Sequence, residues 1–198
     1  MKKLLLVLLT FTAFYRLDAQ INQKDFEQLY NQLIDNLLAE KWNASDSLTT
    51  LILNKIDKVD SMIHEKQVLR YISIYSTAGL LNENLITRET ALNKVLKYKG
   101  LRLVMPAHPL NSKCYVNCTH LDSEQKNTFF SGVNNSKGTM IFSFEYVKMK
   151  EPIDDKYIRS IEGKNIALSG VLEDIAVEGN MFPRFKIHFS DGEMEIIE

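Results

Sequence analysis

Hydrophobic spacing changes period twice along the chain and divides it into three stretches. The first runs from Leu4 to Phe14, almost continuously apolar apart from Thr10 and Thr12, behind the basic start Met1-Lys2-Lys3. Small and polar residues follow, up to Ala19-Gln20. Basic, then apolar, then a small residue at the cut is the layout of a secretory signal peptide. The run is only about half of the roughly 20 apolar residues a membrane span needs. Residues 1–19 are therefore expected to be removed after Ala19, and the chain from Gln20 to work outside the cytoplasm, in a periplasm or secreted.

The second stretch repeats at three- and four-residue steps. Phe26, Leu29, Tyr30, Leu33, Ile34, Leu37 and Leu38 form one apolar stripe of a helix beginning near Asp25. A second helix is expected on Leu48, Leu51, Ile52, Ile56, Val59 and Ile63, with its N-cap among Asn43, Ser45 and Asp46. A third falls on Val68, Leu69, Ile72, Tyr75 and Leu80. A fourth follows Thr87 as cap and stops at Gly100. Short loops between them predict antiparallel neighbours. Leu53-Asn54-Lys55-Ile56 echoes Leu92-Asn93-Lys94-Val95, so a four-helix bundle and a short solenoid-like stack of helical hairpins both fit. Trp42, Tyr71 and Tyr75 belong either to the core of that unit or to a groove between its hairpins.

From Thr128 the period shortens to two. Met140, Phe142, Phe144 and Tyr146 share one face of a strand, with Ile141, Ser143, Glu145 and Val147 on the other. A short helix is expected before Ile161, then a strand from Asn165 to about Val177, in which Gly170 marks a bulge or bend. Phe185, Ile187 and Phe189 alternate with polar residues. Asp191-Gly192 reads as a two-residue hairpin turn, after which Met194 and Ile196 resume the pattern. That register places the five apolar residues on one inner face, with His188 and Glu195 outside.

Together these patterns predict an α+β chain: four helices in antiparallel hairpins, then a small antiparallel β-sheet or barrel. The expected organisation is a signal peptide over 1–19, a helical domain over 20–105, a connecting segment over 106–126 and a β-rich domain over 127–198. The stretch from Glu162 through Gly163, Ile166 and Gly170 to Leu172 resembles the opening strand of an OB-type barrel. That resemblance extends to a barrel able to hold an oligosaccharide or single-stranded nucleic acid.

Composition narrows the partners. Hydrophobic residues make up 45% and charged residues 25%, as in an ordinary folded protein. The net charge is −1; residues 1–19 carry a surplus of two positive charges, which leaves the remainder at −3. An acidic chain with no strand pattern that reads as exposed aromatic residues interleaved with basic ones gives no reason to expect nucleic acid. With no second long apolar run, no membrane span is expected after cleavage.

The only clustered soft ligands lie in the connecting segment, at His108, Cys114, Cys118 and His120. Two thiolates and two imidazoles could hold zinc, although all four fall within thirteen positions. Outside the cytoplasm, Cys114 and Cys118 would instead tend to oxidise. Four residues of extended strand would separate them by about 13 Å, so a disulfide needs a turn across Tyr115-Val116-Asn117. Unbridged thiols, or one thiol paired with His120, remain the other options. There is no HExxH pair, no GxSxG elbow and no phosphate-cradling glycine loop, so no cofactor and no catalytic residue is assigned. The carboxylates at Glu151, Asp154, Asp155, Glu173, Asp174, Glu193 and Glu195 fall in turns or on outer strand faces. The expected function is that of an exported non-catalytic binding or scaffold protein whose partner is another protein or an envelope component. A thiol- or metal-dependent site at the joint, and an OB-like binding module, are the alternatives.

Overall fold

The computed structural model describes residues 21–125, 127–135 and 140–197; the expected signal peptide lies outside them. The first helix, α1 (Gln23–Leu38), is capped by Asn22, whose side chain accepts from the Asp25 N–H at 2.8 Å. The second, α2 (Trp42–Ile56), starts earlier than its local cap signals suggest and has no side-chain cap. Burial of Trp42 accounts for this. Its ring lies against Gly79, where a Cβ would come within 2.2 Å of it. The indole N–H donates to Glu83 at 2.8 Å, satisfying the polar end of a buried side chain. Anchoring Trp42 turns α2 so that Trp42, Ser45, Thr49, Ile52 and Ile56 face inward and Leu51 faces water. Ser45 and Thr49 tolerate this because their hydroxyls donate to carbonyls four residues back.

The third helix, α3 (Ile63–Asn82), is buried almost all round from Tyr71 to Asn82. It packs on α2 and α4 (Arg88–Val95), and also on strands of the sheet. Thr87 caps α4 as expected, accepting from the Thr90 N–H. Gly100, with φ +80, follows the turn that ends this part of the chain.

The described residues of the remaining chain form seven strands and one short helix: β1 (Arg102–Val104), β2 (His108–Pro109), β3 (Thr119–Leu121), β4 (Thr128–Asn134), β5 (Ile141–Met149), α5 (Asp155–Ser160), β6 (Asn165–Glu178) and β7 (Arg184–Ile197). They make one open sheet in the order β1-β6-β7-β5-β4-β3, with β2 also paired to β6. The α+β class is as expected, but three finer expectations are corrected. The sheet is open, not a barrel. It is mixed, not antiparallel, because β7 inserts between β5 and β6 and runs parallel to β5. And short strands form where none was expected: β1, at the end of the stretch assigned to the helical half, and β2, in the connecting segment, pair with β6, while β3, also in that segment, pairs with β4.

The Asp191-Gly192 turn is the fourth correction. No hairpin forms there, and β7 runs straight through. Ser190 pairs with Val171 and Glu193 with Ser169, so Asp191 and Gly192 oppose the single residue Gly170. Asp191 holds the left-handed conformation, φ +49, as the extra residue of a bulge. Gly192 is needed for a different reason: a Cβ there would meet Val147, the Lys148 carbonyl and the Met149 sulfur at 2.8–3.0 Å. A bulge shifts side-chain parity as a turn would. Phe185, Ile187 and Phe189 are therefore buried, with Met194 and Ile196 packed against the same core, while Glu195 is exposed.

One buried cluster combines Trp42, Tyr71, Ile74, Leu81 and Val95 of the helical half with Leu103, Phe129, Val147, Leu172 and Ile187 of the sheet. A second, smaller one joins Phe26, Leu33, Ile52, Ile56, Leu69 and Ile72 among the helices.

Candidate functional site

Where α1 and α3 meet the sheet, the chain leaves a cavity of about 420 Å³. This lies within the range of small-molecule sites. Helix α1 supplies Tyr30, Ile34 and Leu37, one turn apart on its inner stripe. Val68, Tyr71, Ile72 and Tyr75 come from α3 with the same spacing. The chain around β1 and β2 adds Val104, Met105, Pro106 and His108, and the end of β4 adds Val133 and Asn134.

Asn117 completes the wall, and the cysteine pair explains how. Cys114 and Cys118 sit at disulfide distance with Cα atoms 6.0 Å apart. Between them Asn117 takes the left-handed conformation, φ +52, which supplies the turn this pairing requires. The loop is clamped to β4: the Gly132 N–H donates to the Tyr115 carbonyl at 3.0 Å, and the Asn117 N–H donates to the Gly132 carbonyl at 2.7 Å. The Asn117 side-chain oxygen accepts from the Asn134 N–H at 3.2 Å.

Behind the pocket wall sits a buried acid. Glu145 on β5 is 2% exposed and accepts from the Tyr71 hydroxyl at 2.7 Å and the Ser143 hydroxyl at 3.2 Å. Burial raises its pKa to about 7, against the opposing pull of those two hydrogen bonds. Burial and then the neighbouring Glu145 charge push the Tyr71 phenol well above its ordinary value. Tyr75, whose hydroxyl donates to the Asn134 carbonyl at 3.4 Å, is raised to about 12, first by burial and then by Glu40 and Glu145. Burial raises Tyr30 and lowers His108.

The four soft ligands of the connecting segment are distributed differently from a metal cage. Sulfurs held at disulfide distance from each other are placed to pair, not to offer thiolates to a metal or a substrate. His108 on β2 belongs to the apolar cavity, and its Nε2 has no hydrogen-bond partner among the described residues. His120 on β3 lines a separate depression of about 220 Å³ with Ser112, Asp155, Arg159 and Glu162, and its ring lies edge-on to Tyr115. Burial lowers the His120 pKa, opposed by a backbone hydrogen bond at Cys114 and by Asp122. Among the described residues no three His, Cys, Asp or Glu side chains gather as a metal site. The seven carboxylates assigned to turns and outer faces are all exposed.

Two features escaped sequence reasoning. Glu145 alternates in phase with Ser143 and Val147, but nothing along β5 tells which face the helices cover. Aromatic and basic side chains do meet, across strands: Arg184 of β7 lies over Phe144 of β5 at 4.8 Å, and Lys186 over Tyr146 at 5.6 Å. On that outer face Phe130 stacks on Phe144 and Tyr146 stacks on His188, so each ring already has a partner within the sheet.

A mixed open sheet with helices on one face and an apolar cavity at their seam is compatible with many functions. Comparison of the chain with protein-family models, curated proteins and solved structures finds no match.

Proposed function

We propose that this chain is an exported, non-catalytic binding protein that holds a small, mostly apolar molecule in the cavity between α1, α3 and the sheet. The observation that carries this reading is the cavity itself. It is ligand-sized, lined mainly by aliphatic and aromatic side chains, and bordered by a few polar groups from five separate parts of the chain. The export part rests on the order of residues in 1–19 and on a cysteine pair at disulfide distance, as oxidising compartments favour. No helix among the described residues is long and apolar enough to cross a membrane.

The test uses N-phenyl-1-naphthylamine, a neutral dye that brightens in apolar surroundings. It should bind at one site per chain. Val68→Phe, which fills the cavity from α3, should weaken binding about tenfold or more. His188→Ala, on the outer sheet face, should leave it unchanged. Undiminished dye binding in a folded Val68→Phe protein would place the dye elsewhere and end this reading.

A further inference from the structure

Resting on the pocket reading above, we infer that the natural ligand is an uncharged amphiphile whose head donates a hydrogen bond, an alcohol or an amide, and is neither a carboxylate nor an amine. Among the described residues, no Asp, Glu, Lys or Arg lines the cavity. An ionic head would therefore be desolvated there with no charged side chain of the lining to meet it, a costly way to bury a polar group. The carboxylates that act on the wall, Glu40 and Glu145, both bear on Tyr75 and are both acidic, which adds repulsion against an anionic head. A cationic head gains little from either, since Glu40 lies outside the lining and Glu145 sits buried behind it. That carboxyl is 2% exposed, and its Oε1 is taken by Tyr71 and Ser143.

The polar groups that remain are neutral ones: the tyrosine hydroxyls, the amides of Asn117 and Asn134, and the imidazole of His108. Two of the hydroxyls have already committed their protons. Tyr71 donates to Glu145 and Tyr75 to the Asn134 carbonyl, which leaves their oxygens free to accept. An acceptor in an apolar wall is best matched by a donor on the ligand.

Four probes with one tail separate the possibilities: 1-octanol, octanamide, octanoate and octylammonium, each used to displace N-phenyl-1-naphthylamine from the full exported chain at pH 7.5. The alcohol and the amide should displace the dye at concentrations about tenfold or more below those of the two ions. Val68→Phe should reduce displacement by all of them together. If octanoate or octylammonium displaces the dye as well as octanol does, this inference fails and the cavity remains a binding site. If the dye itself does not bind, the pocket reading falls, and this inference with it.

Discussion

Glu145 is where a single residue governs the behaviour of the fold. In the unfolded chain its carboxyl titrates near 4.5, and in the native protein at about 7. Between those values the native state keeps a proton that the unfolded state has released, so raising the pH favours unfolding. The stability lost from this group accumulates from about pH 4.5 to 7 and is level above, amounting to about 3 kcal/mol. His108 works in the opposite sense, because its lowered pKa makes the native state the one that resists protonation. A comparison with Glu145→Gln isolates the carboxyl, since the amide oxygen can still accept from Tyr71. Urea midpoints should show the variant gaining on the parent as pH rises from 5 to 8. A difference that stays constant across that range would mean Glu145 ionises normally. Nothing local to β5 marks this residue: its alternation with Tyr146 was legible, but its burial depends on α3 lying over that face.

Strand β7 shows how an element can be read correctly in pattern and wrongly in shape. Asp191-Gly192 has the composition of a tight turn, and the alternation on either side fits one. What prevents the turn is length elsewhere. Strand β6 is 14 residues long and offers partners to β7 on both sides of the bulge, from Asn165 opposite Ile197 to Glu178 opposite Arg184. Completing that ladder satisfies more backbone groups than turning back at Asp191 would. The two readings give different mutational signatures. In the bulge, Asp191→Gly should be neutral or slightly stabilising, because glycine adopts the left-handed conformation at no steric cost. Gly192→Ala should cost about 1–3 kcal/mol, because its Cβ would press on Val147, the Lys148 carbonyl and Met149. Denaturation midpoints of the two variants check this; a Gly192→Ala protein as stable as the parent would contradict the close approach.

At the scale of the whole molecule, the decisive fact is where apolar surface is buried. The main cluster takes Trp42, Tyr71 and Val95 from the helices and Phe129, Leu172 and Ile187 from the strands. Tyr71 and Glu145 add a buried polar tie between the two halves, 74 residues apart in sequence. A fragment covering residues 20–105 should therefore keep helical content but lose a sharp unfolding transition. A fragment covering 127–198 should be poorly soluble, since the helix-facing side of its sheet would be exposed. Circular dichroism during thermal unfolding tests the first fragment. Cooperative melting of it alone would show that the smaller helical cluster, around Leu33, Ile52 and Leu69, suffices as a core.

Local elements were legible along the chain: helix stripes at period 3.6, strands at period 2, the Thr87 cap, the helix before Ile161 and the extent of β6. These depend on neighbours a few residues apart, and short-range spacing records them. It also placed Phe185, Ile187 and Phe189 on one face, which survives because a turn and a bulge change parity alike. Tertiary structure alone decided the rest. Seating Trp42 on Gly79 rotated α2, inserting β7 beside β5 made the sheet mixed, and laying α3 over one face turned Ser143 and Glu145 inward. The cavity belongs to that second group. Its walls come from α1, α3, the chain around β1 and β2, the cysteine loop and β4, and only long-range packing brings residues from 30 to 134 to one place.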